Sequence, residues 1–350
     1  MDTSVMITLG FLIFAIVMFA WEKIPLSITA MVVAVGLHLS GVLSAKEAFA
    51  GFVDPNVLLF MGMFVIGEAF FATGVAVGVG NVVHKFAKTE TSLLVAVMMI
   101  TGILSGFLSN TGTAAVLIPV IIGICKKSGF KQTKLLMPLV FAAAMGGNIS
   151  LIGAPGNMIA QAGLQQAGLG SFNFFDYGLV GLPILIVGTI FYATIGKRFL
   201  PDAPSHQPDG AFEGNDDYSH VPSWKKWTAA IILILTVVAM IFEKQLGVKL
   251  YVSAWTGALV LVATNVISET AAVKSIDMKT IMLFAGSMAL GDAMVKTGTG
   301  SVIADIIVNS LGASPSPIVV LVVIFVLGVF MTNFMSNTAT CALLVPIGLS

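Results

Sequence analysis

Two short polar groups in this sequence carry side chains suited to binding ions. The first is Ser109-Asn110-Thr111, with Ser105 four residues earlier; the second is Ser336-Asn337-Thr338, with Thr332 four residues earlier. Their hydroxyl and amide oxygens are neutral, hard donors of the kind that hold a cation such as sodium. The same residue types are preferred helix N-caps, and the N–H groups freed at a helix start carry partial positive charge that favours an anion. A helix that ends at the triplet, followed by one that begins there, therefore offers carbonyls to a cation and N–H groups to an anion. The four-residue spacing puts the Ser105 or Thr332 hydroxyl one turn below the triplet on the same helix face. A lone hydroxyl in such a run usually bonds back to its own helix; two matched sets favour a binding role.

The elements that must position these groups are apolar. Apolar residues make up 57% of the 350 and charged residues 10%, with a mean hydropathy of +1.01. A soluble domain carries about a quarter charged residues. Apolar runs at 5–21, 24–42, 56–73, 135–151, 177–195, 228–242, 251–267 and 280–294 approach or pass the roughly 18 residues that cross a bilayer core. Two longer runs, 91–125 and 318–350, are each interrupted by a triplet. The expected fold class is an all-α polytopic membrane protein. The first run has no basic residue before it and no small-residue cleavage site after it, so it reads as a retained span rather than a signal peptide. A net charge of zero gives no reason to expect nucleic acid as a partner. Cys125 and Cys341 lie in apolar runs at non-metal spacing and read as small core residues.

The chain repeats itself. Aligning the triplets at an offset of 227 makes eight of seventeen positions identical between 104–120 and 331–347: Phe107, Ser109, Asn110, Thr111, Thr113, Ala115, Leu117 and Pro119. Upstream, LFMGMFVIGEAFFATG at 59–74 matches LFAGSMALGDAMVKTG at 283–298, and WEK at Trp21 faces FEK at Phe242. Repeats of this kind mark transporters. The halves are 1–200 and 224–350, joined by the Pro-, Asp-, Gly- and Ser-rich stretch 201–223, which reads as a flexible linker. Lys85 and Lys88 precede the first broken run, and Lys126, Lys127, Lys131 and Lys134 follow it. By the positive-inside tendency both of its ends are cytoplasmic, so it is a re-entrant hairpin with the triplet at its tip. GASPSP (312–317), before the second broken run, has no basic residue and is placed outside. Lys197, Arg198, Lys225 and Lys226 put the linker in the cytoplasm, and the halves then have inverted topology.

Irregular backbone at membrane depth is tolerated only where protein or a water-filled cavity satisfies it. Two opposed hairpins are expected to bring both tips to such a cavity near the midplane. GGNISLIGAPGN at 146–157 reads as an unwound segment lining the same cavity. Its counterpart would lie beyond Pro346, and the second repeat is expected to be incomplete at Ser350.

The two triplets, the Ser or Thr before each, and GGNISLIGAPGN together resemble the divalent-anion:sodium symporter family of citrate-transporter-like permeases, over nearly the whole chain. FNFFDYGLVGLPILI at 172–186 is similar to the family's segment after that motif. The resemblance implies a homodimer in a bacterial inner membrane, with the N-terminus cytoplasmic, and a scaffold and a moving domain working as an elevator. It implies one sodium site from Ser105, Ser109 and Asn110 with backbone near Gly147 and Asn148. A second would use Thr332, Ser336 and Asn337. The substrate, a small divalent anion (dicarboxylate, citrate or sulfate), would meet Asn110, Thr111, Asn337, Thr338 and Asn157. Sodium is the coupling ion and no cofactor is expected. The chain departs from the common pattern at Gly156, where a second proline often follows Pro155.

Other candidates weigh less. Glu68 and Asp292 hold matching repeat positions in apolar runs, and intramembrane carboxylates are functional candidates by default. Each lies near a span end, so hydration or pairing is the simpler expectation. His38 and His84 lie near span ends, and His206 and His220 lie in the linker. No grouping suits a zinc site, a phosphate loop or a catalytic triad, so an enzyme is not expected. The competing classes are a cation/proton antiporter or metalloid-anion permease built on the same hairpins, and a channel. Two matched tip sites favour alternating access over an open pore.

Overall fold

The structure is a computed structural model that describes residues 2–21, 23–78, 89–201, 218–303 and 316–349. His84, Lys85 and Lys88, linker residues 202–217 including His206, and residues 312–315 lie outside it. The principal helices are α1 (Thr3–Trp21), α2 (Leu26–Leu39), α3 (Pro55–Ala72), α4 (Glu90–Ser105), α5 (Asn110–Ser128), α6 (Thr133–Gly146) and α7 (Pro155–Gln166). They are followed by α8 (Gly178–Thr194), α9 (Ser223–Ile241), α10 (Leu250–Ala263), α11 (Met278–Thr297), α12 (Pro317–Met331) and α13 (Asn337–Leu349). The chain is all-α, as its composition and runs indicate. Among the described residues, α1, α3, α9 and α11 are long and apolar enough to cross a membrane.

Both interrupted runs are helical hairpins. α4 starts where Thr89 and Ser92 form a reciprocal capping box, and it stops at Gly106. α5 begins at Asn110 because the Ser109 side chain caps it. In the second hairpin α12 ends at Met331 and α13 begins at Asn337. The equivalent prolines, Pro119 and Pro346, both lie inside the second arm.

The helices form two compact units. The first comprises residues 1–58, 155–171 and 277–350, and the second comprises 59–154 and 172–276. Each draws on both sides of the linker. In the first unit α11 packs along α2 and α1, and α13 packs along α7, α11 and α12. Leu12, Phe19, Val33, Leu37, Leu290 and Leu343 fill its core. In the second unit α4 packs on α6, with α5 and α8 against the same pair. Leu93, Val97, Met98, Leu117, Leu139 and Leu185 close that core.

One contact joining the end of a candidate span to a residue outside the spans is pH-sensitive. Lys296, in the last turn of α11, donates to both carboxylate oxygens of Glu47 at 2.9 Å. That hydrogen bond, helped by the Ser44 backbone and side chain, holds the Glu47 pKa at about 2 against an ordinary 4.5. The folded state therefore binds this proton more weakly than the unfolded chain. The pair contributes fully above the ordinary pKa, and its contribution is lost as pH falls toward about 2. The Lys296→Met variant should accordingly show a shallower fall in melting temperature than wild type between about pH 5 and 3. Equal slopes would show that the pair has no net effect.

Candidate ion and substrate site

The first tip closes over buried oxygens. Ser105, at the end of α4, is 0% exposed, and its hydroxyl donates to the Ala143 carbonyl of α6 at 2.8 Å. It also lies 2.7 Å from the Asn110 amide oxygen, five residues on and across the tip. Ser109 Oγ accepts from the Gly112 N–H at 3.1 Å, which leaves the hydroxyl hydrogen free. The Ser150 hydroxyl donates to the Gly106 carbonyl and ties segment 147–154 to the tip.

The Asn110 amide meets this cluster in either of two orientations. With nitrogen inward it donates to Ser105 Oγ at 2.7 Å, the Gly153 carbonyl at 3.1 Å and the Ala143 carbonyl at 3.2 Å. With oxygen inward the same positions present oxygen to oxygen, an arrangement that a cation relieves. Gly147 permits the approach, because a Cβ there would lie 2.5 Å from Asn110 Oδ1. The residues present thus fit a hard monovalent cation through neutral oxygens of Ser105, Asn110, Ala143 and Gly153.

The second tip repeats the pattern. The Thr332 hydroxyl donates to the Asn337 amide oxygen, so a hydroxyl meets the tip asparagine amide here as Ser105 meets Asn110 at the first tip. Ser336 Oγ accepts from the Ala339 N–H at 3.2 Å, and the Thr340 hydroxyl donates to the Ser336 carbonyl at 3.1 Å. Thr332, Ser336 and Asn337 are exposed, whereas Ser105 is fully buried.

Segment 146–157 is shorter as an unwound element than its glycine content suggests. Irregular backbone covers 147–154, and α7 begins at Pro155. Proline suits the first helical position because its missing N–H would have no intrahelical partner there. Asn157 is therefore a buried residue of the first helical turn, in the first unit, while Ser105, Ser109, Asn110, Thr111, Gly147 and Asn148 belong to the second. Within the first unit α7 packs on α13, and a Cβ at Gly156 would lie 2.7 Å from Cys341 Sγ. Asn148 is exposed, and its amide bonds weakly back to Ala144 at 3.5 Å. The carbonyls within hydrogen-bond reach of the Asn110 amide nitrogen are those of Ala143 and Gly153. Sequence reasoning missed both, because a backbone ligand does not depend on residue type. Ser150 was visible only as a hydroxyl within the glycine-rich motif. Glu68 and Asp292 are half-buried, in α3 and α11.

Helical hairpins with polar, capped tips, set among apolar helices long enough to span a bilayer, mark an integral membrane protein. The chain belongs to the citrate transporter family (CitMHS), whose profile matches residues 16–350. It is 33% identical to an uncharacterized Escherichia coli transporter, YfbS, over 60% of this chain and 35% of that protein. It thus spans about a third of that relative's length. An uncharacterized Haemophilus influenzae transporter is 28% identical over 98% of this chain and 76% of that protein. The sodium-dependent dicarboxylate transporter SdcS of Staphylococcus saprophyticus is 24% identical over 93% and 69%. The crystal structure of the Alcanivorax borkumensis YdaH transporter shares the fold, with a TM-score of 0.60 and 16% identity over 99% of this chain and 82% of that one.

Proposed function

We propose that the protein couples sodium to the transport of a small divalent anion, most simply a dicarboxylate, by an elevator motion of a homodimer. The observation that carries this reading is the set of neutral oxygens at the first tip: Ser105 Oγ, Asn110 Oδ1 and the Ala143 and Gly153 carbonyls. Such a set coordinates a cation without a proton to exchange, which favours sodium over proton coupling. Sodium bound at a tip would add positive charge beside the helix start of that tip; Thr111 at the first tip and Thr338 at the second are the proposed anion contacts. Ser109, Ser336 and Asn337 complete the proposed ion ligands, and Asn157 is a further proposed anion contact. The name of SdcS, a sodium-dependent dicarboxylate transporter, supports both the ion and the substrate class.

The test is uptake of labelled succinate, citrate and sulfate by proteoliposomes, with a sodium gradient and then with a proton gradient alone. Saturable, sodium-driven uptake of one anion is expected. Uptake driven by protons and indifferent to sodium would overturn the reading. It would favour a proton-coupled carrier using Asp292, half-buried in α11 among largely buried residues, and Asp292→Asn should then abolish uptake.

A further inference from the structure

Three helix starts meet at one cavity within the first unit. It holds about 290 Å³ and is lined by Leu26 and Ser27 of α2, Lys279 and Thr280 of α11, and Ser336 and Thr338 of the second tip. That volume is near the lower end, roughly 300 Å³, of small-molecule sites. No side chain caps α2, whose N-cap is Pro25. Its first N–H groups therefore carry the partial charge of a helix start without an intrahelical partner.

Ser27 is 6% exposed and lines the cavity, and its hydroxyl makes no hydrogen bond to any described residue. The residue is buried but lines the cavity, where water or a ligand can complete its hydroxyl. Lys279 is exposed and its ammonium forms no ion pair with a described residue. The neighbouring acid, Asp277, is already engaged: it accepts from the Lys279 N–H at 3.1 Å and from the Thr280 hydroxyl at 2.6 Å. The Ser336 oxygen accepts from Ala339, which leaves its hydrogen free to donate. The position matching Lys279 in the first repeat is Pro55, so this charge belongs to one half of the molecule only.

We propose that the cavity is an oxyanion subsite in which Lys279 Nζ, Ser27 Oγ and the uncapped start of α2 hold a carboxylate of the transported anion beside Ser336 and Thr338. This rests on reading the second tip as anion-binding. It adds a charged residue to a site otherwise built from neutral groups.

The experiment is calorimetric titration of succinate, citrate and sulfate into the full-length protein in neutral detergent at fixed sodium. Lys279→Gln should weaken the best-bound anion about tenfold and Ser27→Ala about threefold, with Lys279→Arg within about threefold of wild type. Unchanged affinity in Lys279→Gln, or no binding of any of the three anions to wild type, overturns the inference. A tenfold loss in Lys279→Gln together with sodium-independent uptake would keep the subsite and remove the coupling mechanism. An anionic lipid headgroup offers the same chemistry. If phosphatidylglycerol stabilises wild type more than Lys279→Gln while anion affinity is equal in both, the cavity belongs to lipid and the inference falls.

Discussion

Asn110→Ala should reduce sodium-driven uptake by about 100-fold while leaving the protein folded. The amide is the group that joins Ser105, Ala143 and Gly153 across the first tip. Alanine removes a cation ligand, and a hydrogen bond to a charged group is worth about 1.5–3 kcal/mol. Each 1.4 kcal/mol is roughly tenfold in affinity, so the upper end gives the stated loss at limiting sodium. Folding should suffer less, because Ser105 keeps its bond to Ala143 and α5 keeps its Ser109 cap. The check is the melting temperature in sodium chloride against choline chloride, measured beside uptake. Wild type should be stabilised by sodium and the variant should not. Sodium stabilisation equal to wild type would remove Asn110 from the ion site. Asn337→Ala should likewise abolish coupled uptake, through its pairing with Thr332 at the second tip.

The second large effect is on stability. Gly146→Ala places a Cβ within overlap distance of the Gly102 carbonyl and 2.5 Å from the Gly102 Cα. The obstacle is backbone, so no rotamer change can relieve it and α4 must move away from α6. Overpacking costs about 1–3 kcal/mol and more where backbone is displaced. For a chain this long that corresponds to a fall of roughly 2–4 °C in melting temperature. Gly102 and Gly146 lie beside Ser105 and Gly147, so sodium stabilisation should weaken in the same variant. Gly123→Ala is the control, since a Cβ there meets nothing within 4 Å. Equal melting temperatures for the two variants would show that the α4–α6 crossing tolerates separation.

Much of this architecture could be read from residue order. A triplet of cap-forming residues inside an apolar run indicates a helix end followed by a helix start, because both signals are local. Ser109 indeed caps α5 and the Ser336 oxygen accepts from Ala339. The matched tips followed from a repeat in which Ser105 and Thr332 keep the hydroxyl. The extent of the unwound segment was less legible: glycines suggested 146–157, but Pro155 is pre-organised for a first helical turn, and α7 begins there.

Residue types and their spacing thus indicated the membrane class, the hairpins, their capped tips and the hydroxyl one turn before each triplet, while the structure paired those hydroxyls with Asn110 and Asn337. Folding in three dimensions selected the Ala143 and Gly153 carbonyls as the oxygens beside Asn110, and assigned 147–154 to one unit and α7 to the other. It also gathered Ser27, Lys279 and Ser336 around one cavity. The physical reason is that caps and helical periodicity act within a few residues, whereas every residue carries a carbonyl. Which carbonyls converge is set by the packing of helices far apart in the chain.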